Sequence, residues 1–213
     1  MSVHVPLNQE TLVQGLRILA ERDPDLKRIQ EDLGPPPIWA REPGFPTLMH
    51  IILQQQVSLA SAQAAYDRLL AAASPLTPAR FLELDDNHLK ALGFSRQKTN
   101  YGRNLARALL TGQIDLSVLD TMDDMTVRSE LTQLKGIGPW TADIYLLMAL
   151  RRPDIWPSGD LALAIAVQRV KRLATRPTPE ELDAIGENWR PWRAVAARLL
   201  WHCYLSDYPG KSH

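Results

Sequence analysis

Apolar residues recur every three and four positions along most of the chain. Leu59, Ala62, Tyr66, Leu69, Leu70 and Ala73 form one series, and Leu163, Ala166, Val167, Val170, Leu173 and Ala174 form a second. The cleanest is Trp192, Val195, Ala196, Leu199, Leu200, Cys203 and Tyr204. Each series marks the face of a helix turned to a core. Alternation of the kind a strand requires is confined to Ile114, Leu116 and Val118, too short a run for a sheet. The predicted class is all-α, with about ten short helices.

Local punctuation agrees with that reading. Asp23-Pro24, Thr77-Pro78 and Thr178-Pro179 each place a capping side chain before a proline suited to a first helical turn. Gly34, Gly93 and Gly112 stand where helices can stop. Pro35-Pro36-Pro37 predicts a stiff connector between an N-terminal helical pair and the main body. No repeat or low-complexity segment interrupts the pattern.

Composition narrows the class without naming a function. The 213 residues are 45% hydrophobic and 23% charged, the balance of a globular chain long enough to bury a real core. One cysteine, Cys203, supports no internal disulfide and no cysteine-held cluster, which points to a reducing, cytoplasmic setting. No apolar run approaches the roughly 18 residues of a membrane span, and the first residues lack a secretory pattern. His4, His50, His88, His202 and His213 are scattered, with no pair at metal-ligand spacing. Lys plus Arg equals Asp plus Glu at 24 each, so bulk attraction to a polyanion is not written into the total. The distribution is slightly polar: 8 basic and 11 acidic residues up to position 90, then 16 and 13.

The informative stretch is Leu134-Lys135-Gly136-Ile137-Gly138-Pro139-Trp140-Thr141-Ala142. Apolar positions before it and after Pro139 predict helix, hairpin, helix. Glycines two apart allow positive φ and expose successive N–H groups beside a helix N-terminus, an arrangement that takes a phosphate oxygen without side-chain charge. The same Gly-x-Gly also serves as an ordinary turn between packed helices, and the residues alone allow both. Further on, Arg152-Pro153-Asp154-Ile155-Trp156-Pro157-Ser158-Gly159-Asp160 reads as a rigid loop delivering one carboxylate to a helix start. Asp160 is either a plain N-cap or an anion, ionised at neutral pH, that stabilises positive charge on a sugar or orients a water.

Together with Gln54-Gln55-Gln56-Val57-Ser58, Leu92-Gly93-Phe94-Ser95-Arg96-Gln97-Lys98 and Pro191-Trp192-Arg193, these segments resemble the helix-hairpin-helix DNA glycosylase superfamily. Within it the likeness is to 3-methyladenine DNA glycosylase II, the AlkA type, over roughly residues 40–205. The resemblance implies a two-lobed helical fold with the active-site cleft between lobes. Residues 40–125 would form one lobe, and 1–39 with 126–213 the other, carrying the hairpin and the aspartate. The expected form is one without the extra N-terminal β domain of the larger bacterial members.

The resemblance also assigns roles. Asp160 matches the catalytic aspartate. Trp140 stands where strand-cleaving relatives carry a nucleophilic lysine, so hydrolysis without a Schiff base is implied, leaving an abasic site. Trp140, Trp201 and Tyr145 match a base pocket for alkylated, cationic purines such as 3-methyladenine or 7-methylguanine, although tryptophan also packs in ordinary cores. Gln55, Gln56, Gly136, Gly138 and Thr141 match DNA-contacting positions. Gln56 falls where a wedge fills the gap left by a flipped base, and glutamine there replaces a frequent apolar residue. Arg96 and Lys98 are candidate phosphate contacts, or simply a solvated face. Backbone carbonyls of Thr132, Leu134 and Ile137 would hold a structural Na+ or K+, with no cofactor needed for catalysis. The implied partner is duplex DNA bound by a monomer. Two alternatives stand beside this: a non-catalytic helix-hairpin-helix DNA-binding module, and a glycosylase of the same fold for oxidised or mismatched bases.

Overall fold

The computed structural model describes residues 5–206. In chain order the helices are α1 (Gln9–Arg22), α2 (Pro24–Leu33), α3 (Phe45–Gln54), α4 (Leu59–Ala72), α5 (Pro78–Glu83), α6 (Asp86–Ala91), α7 (Arg96–Leu110), α8 (Asp124–Thr132), α9 (Pro139–Met148), α10 (Leu161–Val170), α11 (Pro179–Glu187) and α12 (Arg193–Ser206). Among the described residues no strand forms, and the short Ile114, Leu116, Val118 alternation runs into a 3-10 turn, Leu116–Thr121. Among the described residues twelve α-helices exceed the number expected because α5 and α6, six residues each, are too short to display a hydrophobic period. No described helix is long and apolar enough to cross a membrane.

The predicted caps are in place. Asp23, Thr77 and Thr178 each accept a first-turn backbone N–H ahead of a proline, an arrangement worth about 1 kcal/mol per cap. Gly34 closes α2, and Gly93 and Gly112 follow the ends of α6 and α7.

The helices pack as two compact units, residues 41–150 and residues 5–40 with 151–206. The sequence division placed the hairpin segment, from residue 126, with Asp160. Packing groups it differently: α8 lies on α9, α9 lies on α3, and the Arg41 N–H donates to the Met148 carbonyl at 3.0 Å. Residues 126–150 therefore belong with 41–125, because the apolar surface of α9 is buried there.

In the unit of residues 41–150, α3 and α9 are interior. α3 buries seven of its ten residues, and α9 buries every residue from Thr141 to Leu147. A helix covered on all sides shows little one-sided pattern, so this core was faint in the periodicity. Leu59, read as core-facing, is 59% exposed at the first turn of α4. In the other unit α1 and α2 pack on α12, which is buried without a break from Ala194 to Trp201. Its series predicted a single buried stripe; the helix is instead the centre of the unit. Even Arg198 is enclosed, donating to the Ile38 and Ala194 carbonyls at 2.9 and 3.0 Å, with burial pushing its guanidinium pKa down to about 9. Ala174, assigned to the α10 stripe, lies beyond that helix and is exposed.

Asp23 ties this second unit together. Besides capping α2, its carboxylate receives Lys171 Nζ on both oxygens at 2.7 Å and the Trp189 indole N–H at 2.8 Å. Burial pushes its pKa up, but the Lys171 and Trp189 bonds and the Leu26 N–H outweigh it, leaving the carboxyl below its ordinary value. A folded pKa held low stabilises the native state above the unfolded value near pH 4, and that contribution is lost as pH falls through the lower folded value. Asp23→Ala is expected to cost about 2–4 kcal/mol, leaving Lys171 and the indole N–H without their acceptor. Thermal melts at neutral pH check this, and the difference from wild type should shrink below pH 4. An unchanged melting temperature at neutral pH would remove Asp23 from this role.

Candidate active site and nucleic-acid interface

In the unit of residues 41–150, α8 and α9 meet through the turn Gln133–Gly138. Gly136 takes φ +106°, a value that side-chain-bearing residues rarely adopt, and an added Cβ would lie 2.2 Å from Tyr101 Cγ. The turn thus rests directly on the ring of Tyr101. Gly138 begins α9 with no side-chain cap, whereas Asn8, Ser58, Ser95, Asp123 and Asp160 each cap their own helices. Gly138 is exposed, Gly136 half-buried, and Trp140 half-buried in the first turn of α9.

Gln55 is drawn into the same hairpin. Its side-chain amide donates to the Gly136 carbonyl at 2.9 Å and to Thr141 Oγ1 at 3.0 Å. Thr141 itself is 2% exposed. Both were expected to contact DNA; in the structure they form an internal strut that fixes the hairpin to the end of α3, Gln55 remaining half-buried and Thr141 enclosed. Lys98 also reaches the end of α3. Its ammonium donates to the Leu53 carbonyl at 2.6 Å, and partial burial lowers its pKa, so this half-buried side chain closes the C-terminus of α3. Arg96 is exposed, as a phosphate contact requires.

Gln56, which follows Gln55, is exposed with φ +56°, a left-handed conformation unfavourable by roughly 1–2 kcal/mol for a residue with a Cβ. Its neighbours Val57 and Leu59 are also exposed, so the α3–α4 turn presents an apolar-flanked tip. Tyr145 does not belong to an open pocket. It is fully buried, its hydroxyl accepts the Gly44 N–H at 3.0 Å, and burial pushes its pKa up to about 12. The expected pocket role fails because no face of the ring is accessible to a base.

In the other unit, Asp160 is the N-cap of α10 and half-buried. One carboxylate oxygen, Oδ1, accepts the Leu163 N–H at 2.8 Å and the Trp201 indole N–H at 3.1 Å. Those two donors fix the rotamer. The loop before it is held at several points. Asp154 accepts Arg190 and Arg193, the latter at 3.0 Å, and the Pro153 carbonyl accepts the Ala194 N–H at 3.0 Å. Trp156 donates to the Leu182 carbonyl at 3.0 Å and packs edge-on against Trp189. The predicted rigid delivery of the carboxylate is thereby given a cause. Arg193 as the anchor of Asp154 was missed, although Pro191-Trp192-Arg193 stood out in the sequence.

Trp201 is 7% exposed. Its visible contribution is the N–H that orients Asp160, which periodicity had no means of showing. Trp201→Phe keeps an aromatic ring at this position and deletes that donor. Any step that depends on the orientation of the Asp160 carboxylate should slow about tenfold, the worth of one hydrogen bond to a charged acceptor. Steady-state kinetics with thermal melts check this, and a loss of rate matched by the loss of folded protein would mean that the tryptophan is merely structural.

Among the described residues no group of three or more His, Cys, Asp or Glu side chains is arranged for a metal. His4 and His213 lie outside the described residues. His50 stacks on Tyr66 with ring centroids 4.2 Å apart, and burial with the nearby Arg41 pushes its pKa down to about 4 against the pull of Asp67.

The sequence model of HhH-GPD superfamily base excision DNA repair proteins matches residues 49–191. The chain belongs to that superfamily. It is 30% identical over 162 residues to a putative DNA-3-methyladenine glycosylase of Bacillus subtilis, covering 72% of this chain and 56% of that one, so it spans little more than half of that relative's length. It is 29% identical over 173 residues to DNA-3-methyladenine glycosylase 1 of Schizosaccharomyces pombe, covering 79% and 75%. Among solved structures, a Schizosaccharomyces pombe 3-methyladenine DNA glycosylase in complex with abasic DNA superposes with a TM-score of 0.84 at 27% identity, over 88% of this chain and 95% of that one. The matched HhH-GPD segment contains the hairpin and Asp160 together, so both motifs read from the sequence lie inside the superfamily's shared region.

Proposed function

We propose that this HhH-GPD chain is a monofunctional DNA glycosylase that extrudes an alkylated base of the 3-methyladenine or 7-methylguanine type and hydrolyses its N-glycosidic bond. The observation that carries the reading is Asp160, fixed at the start of α10 by two N–H donors on one oxygen. The likeness to proteins named 3-methyladenine glycosylases supports it.

An alkylated purine carries positive charge before any bond breaks, so it departs as a neutral base without a general acid. As the C1′–N bond opens, its electrons leave with the base and positive charge gathers on the sugar. A fixed carboxylate stabilises that charge, and water adds at C1′, losing a proton to leave an abasic site. Asp160 is the catalytic residue in this account. Trp140 supplies an indole for the cationic base, worth about 0.5–2 kcal/mol. With tryptophan rather than lysine at this position, no covalent imine forms there.

The uncapped start of α9 and the glycine turn hold a DNA phosphate. Gln56, on its exposed tip, fills the gap left by the extruded nucleotide, hydrogen-bonding the orphaned base. Thr132 and Leu134 bring helix-terminal and turn carbonyls; the Leu134 oxygen accepts the Ile137 N–H at 2.9 Å and retains a second lone pair. Together with Ile137 this all-carbonyl set suits a Na+ or K+ ion, which would screen the phosphate. The chain acts on duplex DNA as a monomer.

The test is to incubate the chain with methylated duplex DNA and analyse the freed bases by chromatography. Release of 3-methyladenine or 7-methylguanine is expected. Duplex binding without any base release would instead favour the non-catalytic hairpin module.

A further inference from the structure

Beyond the hairpin, α7 carries an unexplained face. Arg96, Asn100, Asn104 and Arg107 recur at spacings of three and four and, with Lys135 from the hairpin turn, line an open groove. Gln97 and Tyr101 complete it, the Gln97 amide donating to the Tyr101 hydroxyl. Three lining side chains are cationic and none is anionic.

The cations are available. Arg96, Arg107 and Lys135 are exposed, and among the described residues no carboxylate pairs with them. Arg103, elsewhere on the same helix, shows the contrast, since it is engaged by Asp86 and by the Leu84 carbonyl. The groove is also continuous with the hairpin, because Gly136 sits on the ring of Tyr101. From Arg96 to Arg107 the helix rises about 16 Å, while a DNA strand advances about 3.4 Å per phosphate along the duplex axis.

We propose that this face of α7, with Lys135, is a second contact strip for the DNA sugar-phosphate backbone, extending the footprint from the hairpin turn to Arg107. The inference rests on the reading of the chain as a DNA-binding glycosylase. Arginine and lysine supply charge, and the Asn100 and Asn104 amides supply neutral donors. All of these recognise phosphate oxygens without reading bases, so the strip adds affinity and register but no sequence preference.

The full chain is titrated with an undamaged duplex over a range of salt concentrations. Arg107→Gln is expected to flatten the slope of log K against log salt by about 0.9, and the Arg96→Gln/Arg107→Gln pair by about 1.8. Arg107→Lys should restore most of the slope. In a hydroxyl-radical footprint on a longer duplex, the double variant should lose protection at one end only. Wild-type slope and footprint in a double variant with an unchanged melting temperature overturn the strip and leave the hairpin reading intact. A wild-type chain with no salt-dependent duplex binding overturns both.

Discussion

Asp160→Asn is expected to lower single-turnover base release by roughly 10²–10³-fold, the scale on which fixed electrostatic stabilisers act. Duplex affinity should stay within about threefold and the melting temperature should not move, because asparagine caps helices as well as aspartate does. Its amide oxygen can still accept the Leu163 and Trp201 N–H groups that hold the carboxylate. The substitution therefore removes charge while keeping shape, hydrogen bonds and helix. Rapid-quench measurement of freed 3-methyladenine under saturating enzyme separates the outcomes. A wild-type rate would falsify the assignment of Asp160 as the catalytic anion.

The second large effect concerns the hairpin. In Gly136→Ala the new methyl meets Tyr101 at 2.2 Å on a backbone with φ +106°, so either the turn or the ring must move. The combined strain and overpacking should cost about 2–4 kcal/mol of stability. Duplex affinity should fall more than tenfold, because the N–H groups of the turn shift and the Gly136 carbonyl leaves the Gln55 amide. Gly138→Ala provides the contrast. Nothing lies within 4 Å of an added Cβ there, and φ is −92°, so stability should be retained. If phosphate approaches Gly138 as closely as proposed, the same methyl still weakens duplex binding several-fold. Thermal melts and fluorescence titrations with undamaged duplex distinguish the two glycines. A Gly136→Ala chain that melts and binds like wild type contradicts the packing argument.

The features legible beforehand were those whose cause is local. Asp23, Thr77 and Thr178 cap helices because each accepts N–H groups two or three residues on, and the following proline needs no N–H. The glycine hairpin and the Asp160 cap are local in the same sense. Helical periodicity served well for α10, with Leu163, Ala166, Val167 and Val170 all buried. It said less where a helix is buried on every side: along Thr141–Leu147 of α9 and Ala194–Trp201 of α12 the residues between the series are buried as well.

The candidate site was legible as residue types and illegible as contacts. Lys98 looked like a surface cation beside Arg96, yet one points to the Leu53 carbonyl and the other to an open groove. Both sit in the first turn of α7, and two positions along a helix amount to a rotation of about 200°. Gln55 and Thr141, 86 residues apart, are joined by a hydrogen bond. Tyr145 disappears into the core against Gly44.

The sequence alone determined the all-helical class, the helix starts, the glycine hairpin and the placing of one aspartate at a helix N-terminus. Each follows from dihedral preferences and hydrogen bonds spanning a few residues. Tertiary structure alone decided that the hairpin packs with residues 41–125, that Trp201 orients Asp160 across 41 residues, and that Arg96, Arg107 and Lys135 gather on one groove. Those outcomes depend on which apolar faces bury against each other, and burial is a property of the whole packed chain rather than of any stretch within it.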